Sequence, residues 1–142
     1  MNGKHTAKAS VVINAPKEKV WEALTTPEQI KKYLFGTNAI SDWKVGSPLI
    51  FRGEWEGKTY EDKGTILASE KPNLFRYTYW SSMSGTEDKP ENYMEITYAL
   101  KGVAGGTELT LTQDNSPTQE AKEHSEQNWK VVLDGLKKVA ES

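Results

Sequence analysis

Few side chains in this sequence have the types and spacing that chemistry requires. There is no cysteine, and there are two histidines, His5 and His124. Without a thiol there is no cysteine nucleophile, no disulfide and no zinc–thiolate site. The histidines sit near opposite ends of the chain and form no H-x-x-x-H pair, so no metal site is expected. His124 has Lys122, Glu123 and Glu126 for company, which suits a solvent-facing or capping position. Ser81, Ser82 and Ser84 share one stretch, but no histidine lies near them in sequence to take a proton. Glu61 and Asp62 are neighbours in a strand-like segment, so alternation turns them to opposite faces. Whichever points inward is a candidate acid or base. The plainer expectation is a charged residue on a strand facing water. Gly105-Gly106 has the chemistry of a hairpin turn and does not resemble a phosphate cradle. No catalytic residue, metal ligand or cofactor is therefore assigned.

Binding is better supported than catalysis. The chain carries five tryptophans and six tyrosines against three phenylalanines. Indole and phenol combine a large apolar body with a polar tip that wants a partner. They suit the lining of a partly wet interior as well as the filling of a core. The candidates on strand-like segments are Trp43, Phe51, Trp55, Tyr77, Tyr79, Trp80 and Tyr98, with Gln113 at the end of the last strand. Ser125, Asn128 and Trp129 join them from the C-terminal helix. Pockets are mostly apolar with a few convergent polar groups, a role that Gln113 and Asn128 fit. The inward face of Leu74 to Trp80 stays open, because both faces carry large side chains and a slip of one residue exchanges them.

The elements that must position these residues follow from periodicity. Thr118 to Ala140 reads as one long helix. Its less polar residues, from Ala121 and Ser125 through Trp129, Val132, Leu133 and Leu136 to Val139 and Ala140, recur at steps of three and four. Lys122, Glu123, Glu126, Lys130, Lys137, Lys138 and Glu141 form the opposite, solvated face. The striped face is apolar from Trp129 onward and small or polar before it. One half therefore reads as built to seal against a sheet, with Trp129 as a buried anchor, and the other as able to face a gap.

Ahead of that helix, Thr6 to Asn14 alternates as a strand, with Ala7, Ala9, Val11 and Ile13 on one face. Two short helices follow, Lys17 to Leu24 after Pro16 and Glu28 to Leu34 with Thr26 as N-cap. The period then changes to two. Strand segments are expected at Asn38 to Trp43, Leu49 to Trp55, Thr59 to Ser69, Leu74 to Trp80, Tyr93 to Lys101 and Thr107 to Gln113. Gly64 marks a bulge or bend. Ser81 to Asn92 is polar, holds Gly85 and Pro90, and reads as a mobile loop that could act as a lid. Short turns make the sheet antiparallel, and only the long helix can cover its apolar face.

Composition bounds the rest. The 142-residue chain reads as one domain over 1–142, slightly acidic at net charge −2, without a basic run for nucleic acid. It shows no signal peptide in Met1 to Ser10 and no membrane span, so a cytoplasmic protein is expected.

A family resemblance rests on five segments in order. They are Ile13-Asn14-Ala15-Pro16 with Val20-Trp21-Glu22-Ala23-Leu24-Thr25-Thr26-Pro27, Trp43-Lys44-Val45-Gly46-Ser47-Pro48, Gly64-Thr65-Ile66-Leu67 with Pro72 to Trp80, Gly106 to Leu111, and Trp129 to Lys137. Together they resemble the START-like, polyketide-cyclase (SRPBCC) superfamily, in the branch named after the C-terminal domain of the activator of the 90-kDa heat-shock chaperone ATPase. The likeness runs from about Ser10 to Ala140. It implies an α+β helix-grip fold, with a curved antiparallel sheet of about six or seven strands wrapped on the long C-terminal helix. It also implies a cavity between sheet and helix, and no particular reaction. The expected function is non-catalytic binding of a small apolar or amphipathic molecule. A chaperone-modulating interaction protein is the alternative, and a cyclase- or hydratase-type enzyme using a buried carboxylate stands behind it.

Overall fold

The computed structural model describes residues 5–34, 36–55, 57–81, 87–116 and 118–141. Strand β1 (His5–Ile13) is followed by helices α1 (Lys17–Thr25) and α2 (Pro27–Tyr33). Strands β2 (Asn38–Ile40), β3 (Pro48–Trp55), β4 (Lys58–Glu70) and β5 (Leu74–Tyr79) come next. A single 3-10 turn at Pro90–Asn92 leads to β6 (Met94–Val103), β7 (Gly106–Ser116) and the long helix α3 (Gln119–Glu141). The seven strands make one antiparallel sheet in the order β1-β7-β6-β5-β4-β3-β2. The meander from β2 to β7 is thus closed by the first strand, which adds to the far side of β7. This is the helix-grip α+β architecture.

Each element forms for a local reason. Alternation on β1 puts Ala7, Ala9 and Ile13 into the core and leaves Lys8 and Val12 in solvent. Helix α1 buries Val20, Trp21, Ala23 and Leu24, a spacing that fits one helical face. Thr26 stands at the N-cap of α2 with extended backbone, but its hydroxyl makes no capping bond. Pro27, at the first helical position and with φ already helical, starts the helix instead. At α3 the cap is a side chain, since the Ala121 amide donates to the Thr118 hydroxyl at 3.0 Å.

Strand β4 is where the sheet bends. Residues 58–65 pair with β3, whereas pairing with β5 runs from Ile66 to Glu70, with a register shift between Ile66 and Ala68. Beyond that shift, β4 and β5 meet again in a bridge between Lys63 and Trp80. Gly64 sits between the two regimes. A Cβ there would lie 1.5 Å from the Thr78 carbonyl oxygen, so only glycine lets the strands approach so closely. The Thr65 amide donates to the Thr78 hydroxyl at 2.8 Å across the same point. The bend expected at Gly64 is therefore a close approach, and the irregular pairing lies just beyond it.

The core gathers on the concave side. Ile13, Val20, Leu49, Ile66, Phe75, Ile96, Leu109, Leu111, Leu133 and Leu136 are among its fully enclosed side chains. Burying a side chain of this size stabilises by roughly 1.5–3 kcal/mol. Phe75 is the hub, with Trp21 edge-on at 5.8 Å, Tyr77 at 5.5 Å and Tyr98 at 6.4 Å between ring centroids.

The polar face of α3 is only partly the solvated surface that its sequence suggests. The Lys8 amide donates to Glu126 Oε2 at 3.0 Å, and the Asn14 amide to Glu141 Oε2 at 2.7 Å. Strand β1 is a sheet edge, and these carboxylates satisfy amides that another chain would otherwise find open.

Candidate functional site

Strand alternation fixes the face that the sequence left open. Phe75, Tyr77 and Tyr79 point to the concave side, and Arg76, with an ion pair to Glu95, is on the outer face. On β3 and β4, Phe51 and Asp62 are paired across the strands on the concave side, and Arg52 and Glu61 form an ion pair on the other. Above these strands lies the first half of α3. Between them is a cavity of about 480 Å³.

The walls of the cavity are aromatic and aliphatic. Phe51, Tyr77 and Tyr79 form the floor, with Phe51 5.9 Å from Tyr77 and 6.1 Å from Tyr79 between centroids. Trp129 and Val132 form the roof, and Leu34 reaches in from the end of α2. Three polar groupings interrupt this surface. The Tyr79 hydroxyl donates to Asp62 Oδ2 at 2.7 Å. Thr37 and Tyr60 share a hydrogen bond of 2.5 Å between hydroxyls. Gln113 accepts the Trp129 indole N–H at 2.8 Å and donates to the Ser125 hydroxyl at 3.2 Å. Gln113 is thus buried yet bonded at both ends of its amide, as a buried amide must be.

Burial sets the protonation of the phenols. It pushes Tyr77 well above the ordinary tyrosine value, with Tyr98 adding to the effect. Tyr98 is pushed to about 12 by burial. Tyr79 rises for two reasons, burial first and then the charge of Asp62 beside it. At neutral pH these groups are hydrogen-bonding phenols, donors rather than bases.

Of the residues singled out in the sequence, Phe51, Tyr77, Tyr79, Gln113, Ser125, Asn128 and Trp129 line the cavity. Asn128 is exposed at its edge, and Trp129 is half-buried because one side of its ring borders open space. Three others are elsewhere. Tyr98 lies beside the floor on the same concave face, against Tyr77 and edge-on to Trp129, and is not itself part of the lining. Trp43 adopts a left-handed backbone, φ 65°, and lays its ring on Phe75 from the core side. Trp80 is stacked on Tyr93 and under the Lys63 ammonium, and Lys63 in turn pairs with Asp88. Trp55 belongs to β3, but its side chain is outside the described residues.

The chain matches the model of the family described as Activator of Hsp90 ATPase homolog 1-like protein over residues 14–141. It belongs to that family. Among solved structures it is similar to ChR145 from Cytophaga hutchinsonii, with 51% identity over 97% of this chain and 94% of that one, at TM-score 0.85. The Aha1 dimer from Colwellia psychrerythraea is 22% identical over 96% of each chain, at TM-score 0.74. CalU16 from Micromonospora echinospora is 19% identical over 96% of this chain and 84% of that one, at TM-score 0.70. At those last two identities the likeness is one of fold. No curated protein matches the chain.

Leu34, Thr37, Glu54, Tyr60 and Val132 also line the cavity, and residue type alone does not single them out. Tyr60 had a signal, since it shares the parity of Asp62 on β4. Leu34 and Thr37 lie at the end of α2 and in the turn after it, where periodicity gives no direction. For Asp62 a water-facing position is the plainer expectation from sequence, whereas it is buried. Neighbours on β3 and β5 explain this, because Phe51 and Tyr79 flank it on the concave side. His124 is exposed, and among the described residues no cluster of three metal-ligating side chains exists. Among those residues no helix is long and apolar enough to cross a membrane. The centre of the loop expected to be a lid, residues 82–86, lies outside the described residues. Its described end carries the 3-10 turn and a Tyr93 hydroxyl bonded to Asp88.

Proposed function

We propose that this chain is a non-catalytic binding module that holds a small apolar or amphipathic molecule between the sheet and the first half of α3. The observation that carries this reading is the cavity itself, about 480 Å³ with an aromatic floor and a few polar groups. Small-molecule sites run from roughly 300 to 1,000 Å³ and share that composition. Three pairs of its polar groups are mutually bonded, Tyr79–Asp62, Thr37–Tyr60 and Gln113–Trp129, which suits orientation of a guest more than bond-making.

The test is native mass spectrometry of the protein isolated from its own host, followed by titration with small hydrocarbons, alcohols and amines. Trp129 in the roof should report binding by a change in fluorescence. Affinity in the micromolar range or tighter is expected, about −8 kcal/mol at 1 μM. No retained mass and no response at high micromolar concentration would defeat the reading. The family description favours a second reading, modulation of a heat-shock chaperone ATPase. A change in the steady-state ATPase rate of the host's own 90-kDa chaperone on adding the protein, insensitive to cavity ligands, would place that reading ahead.

A further inference from the structure

The charge of the cavity wall narrows the guest. Among the described residues that line the cavity, none is Lys, Arg or His. Asp62 is a carboxylate on its concave side, and it is only 8% exposed. Glu54 also belongs to the lining, but alternation on β3 places it on the face of Arg52, opposite Phe51. Lys58 shares the parity of Asp62 yet lies at the exposed start of β4, outside the lining. The rings of Phe51, Tyr77 and Tyr79 line the same space, with Phe51 opposite Asp62 across β3 and β4.

Two effects then act in the same direction. A carboxylate in a dry, low-dielectric wall repels a second anion and attracts a cation far more than it would in water. Aromatic faces add attraction for a cation and none for an anion. The Tyr79 hydroxyl, already donating to Asp62, holds the carboxylate in place. Building on the binding-module reading above, we infer that the cavity selects amphiphiles with an ammonium head, seated against Asp62 among the rings, and rejects carboxylates of the same size and shape.

The experiment is isothermal titration calorimetry of the full chain with phenylbutylammonium, phenylbutanol and phenylbutyrate. The three share ring and tail and differ only in the head. The ammonium should bind about tenfold or more tightly than the alcohol, and phenylbutyrate more weakly than either. Asp62→Asn should bring the ammonium down to the affinity of the alcohol measured on the same variant. The ranking on the unaltered protein stands by itself if that variant fails to fold. Equal binding of ammonium and alcohol, or tighter binding of phenylbutyrate, overturns the inference and leaves the binding module standing. An ammonium preference that survives in folded Asp62→Asn also overturns it. Binding of none of the three overturns both.

Discussion

The two halves of α3 lie over the same sheet and meet it differently. From Val132 onward the helix is packed, with Leu133, Leu136 and Ala140 enclosed and Gly135 pressed against Tyr33 of α2. A Cβ on Gly135 would lie 3.1 Å from the Tyr33 Cβ, and the Tyr33 hydroxyl is itself bonded to the Ala23 carbonyl. Before Val132 the helix presents Ser125, Asn128 and Trp129 to a cavity. One element therefore spans a region that behaves as core and a region that behaves as a roof. The helix is anchored at one end so that it can leave space at the other. Stability should reside in the first region and ligand response in the second.

The largest expected effect breaks the packed end. Leu133→Ala removes an enclosed side chain from the seam between α3 and the sheet and should cost about 3–4 kcal/mol in a urea titration. A loss below about 1 kcal/mol would mean that the helix is seated in another register. The folded fraction of this variant should still bind cavity ligands.

Next comes a tight point in the bend of β4. Gly64→Ala places a methyl against the Thr78 carbonyl and should cost about 3 kcal/mol by thermal unfolding. A neutral result would show that the bend in β4 is not held by close approach.

Trp129→Ala sharpens the contrast. Its ring is half-buried, and it gives up one hydrogen bond to Gln113, so the cost should be about 2 kcal/mol, well below that at Leu133. The sequence alone points to an at least largely buried anchor at this position. A loss as large as that at Leu133 would mean that the roof carries core packing after all.

The smallest effect concerns the seam between α3 and the edge strand. Glu126 is held below the usual glutamate range, first by the Lys8 amide and then by Lys122. Glu141 is lowered by Lys137 and then by the Asn14 amide. A lowered folded-state value means stability that is present above the unfolded value, about 4.3, and lost as pH falls through the lower folded one. Glu141 is exposed and Glu126 only half-buried, so the effect is screened and modest. The double variant Glu126→Gln, Glu141→Gln should therefore show a shallower loss of urea stability under acid than the parent chain. Parallel pH profiles would show that these contacts carry nothing.

How much of this was legible in the sequence depends on what fixes each feature. The long helix, the strands and a glycine-rich hairpin around Gly105-Gly106 were readable because periodicity and turn chemistry are local, although the two turn residues are Ala104 and Gly105. The direction of Tyr77 and Tyr79 was not, since both faces of β5 carry bulky groups and only pairing with β6 fixes which points in. Trp43 and Trp80 were grouped with the site on residue type, whereas a left-handed turn and a strand-end bridge carry them to other surfaces. Asp62 was hidden for a related reason. A charged side chain reads as exposed until its neighbours are known, and the Tyr79 hydroxyl that donates to this buried carboxylate comes from another strand.

The central claim is that the space beneath the first half of α3 receives a ligand, and the indole N–H resonances of the tryptophans test it most directly. In an NMR titration with phenylbutanol, the Trp129 signal and the side-chain amide of its partner Gln113 should shift together and saturate. The signals of Trp80, on the outer face, and Trp43, on the core side of Phe75, should stay in place. Shifts confined to Trp80, or a Trp129 signal that does not move while ligand is bound, would contradict the account.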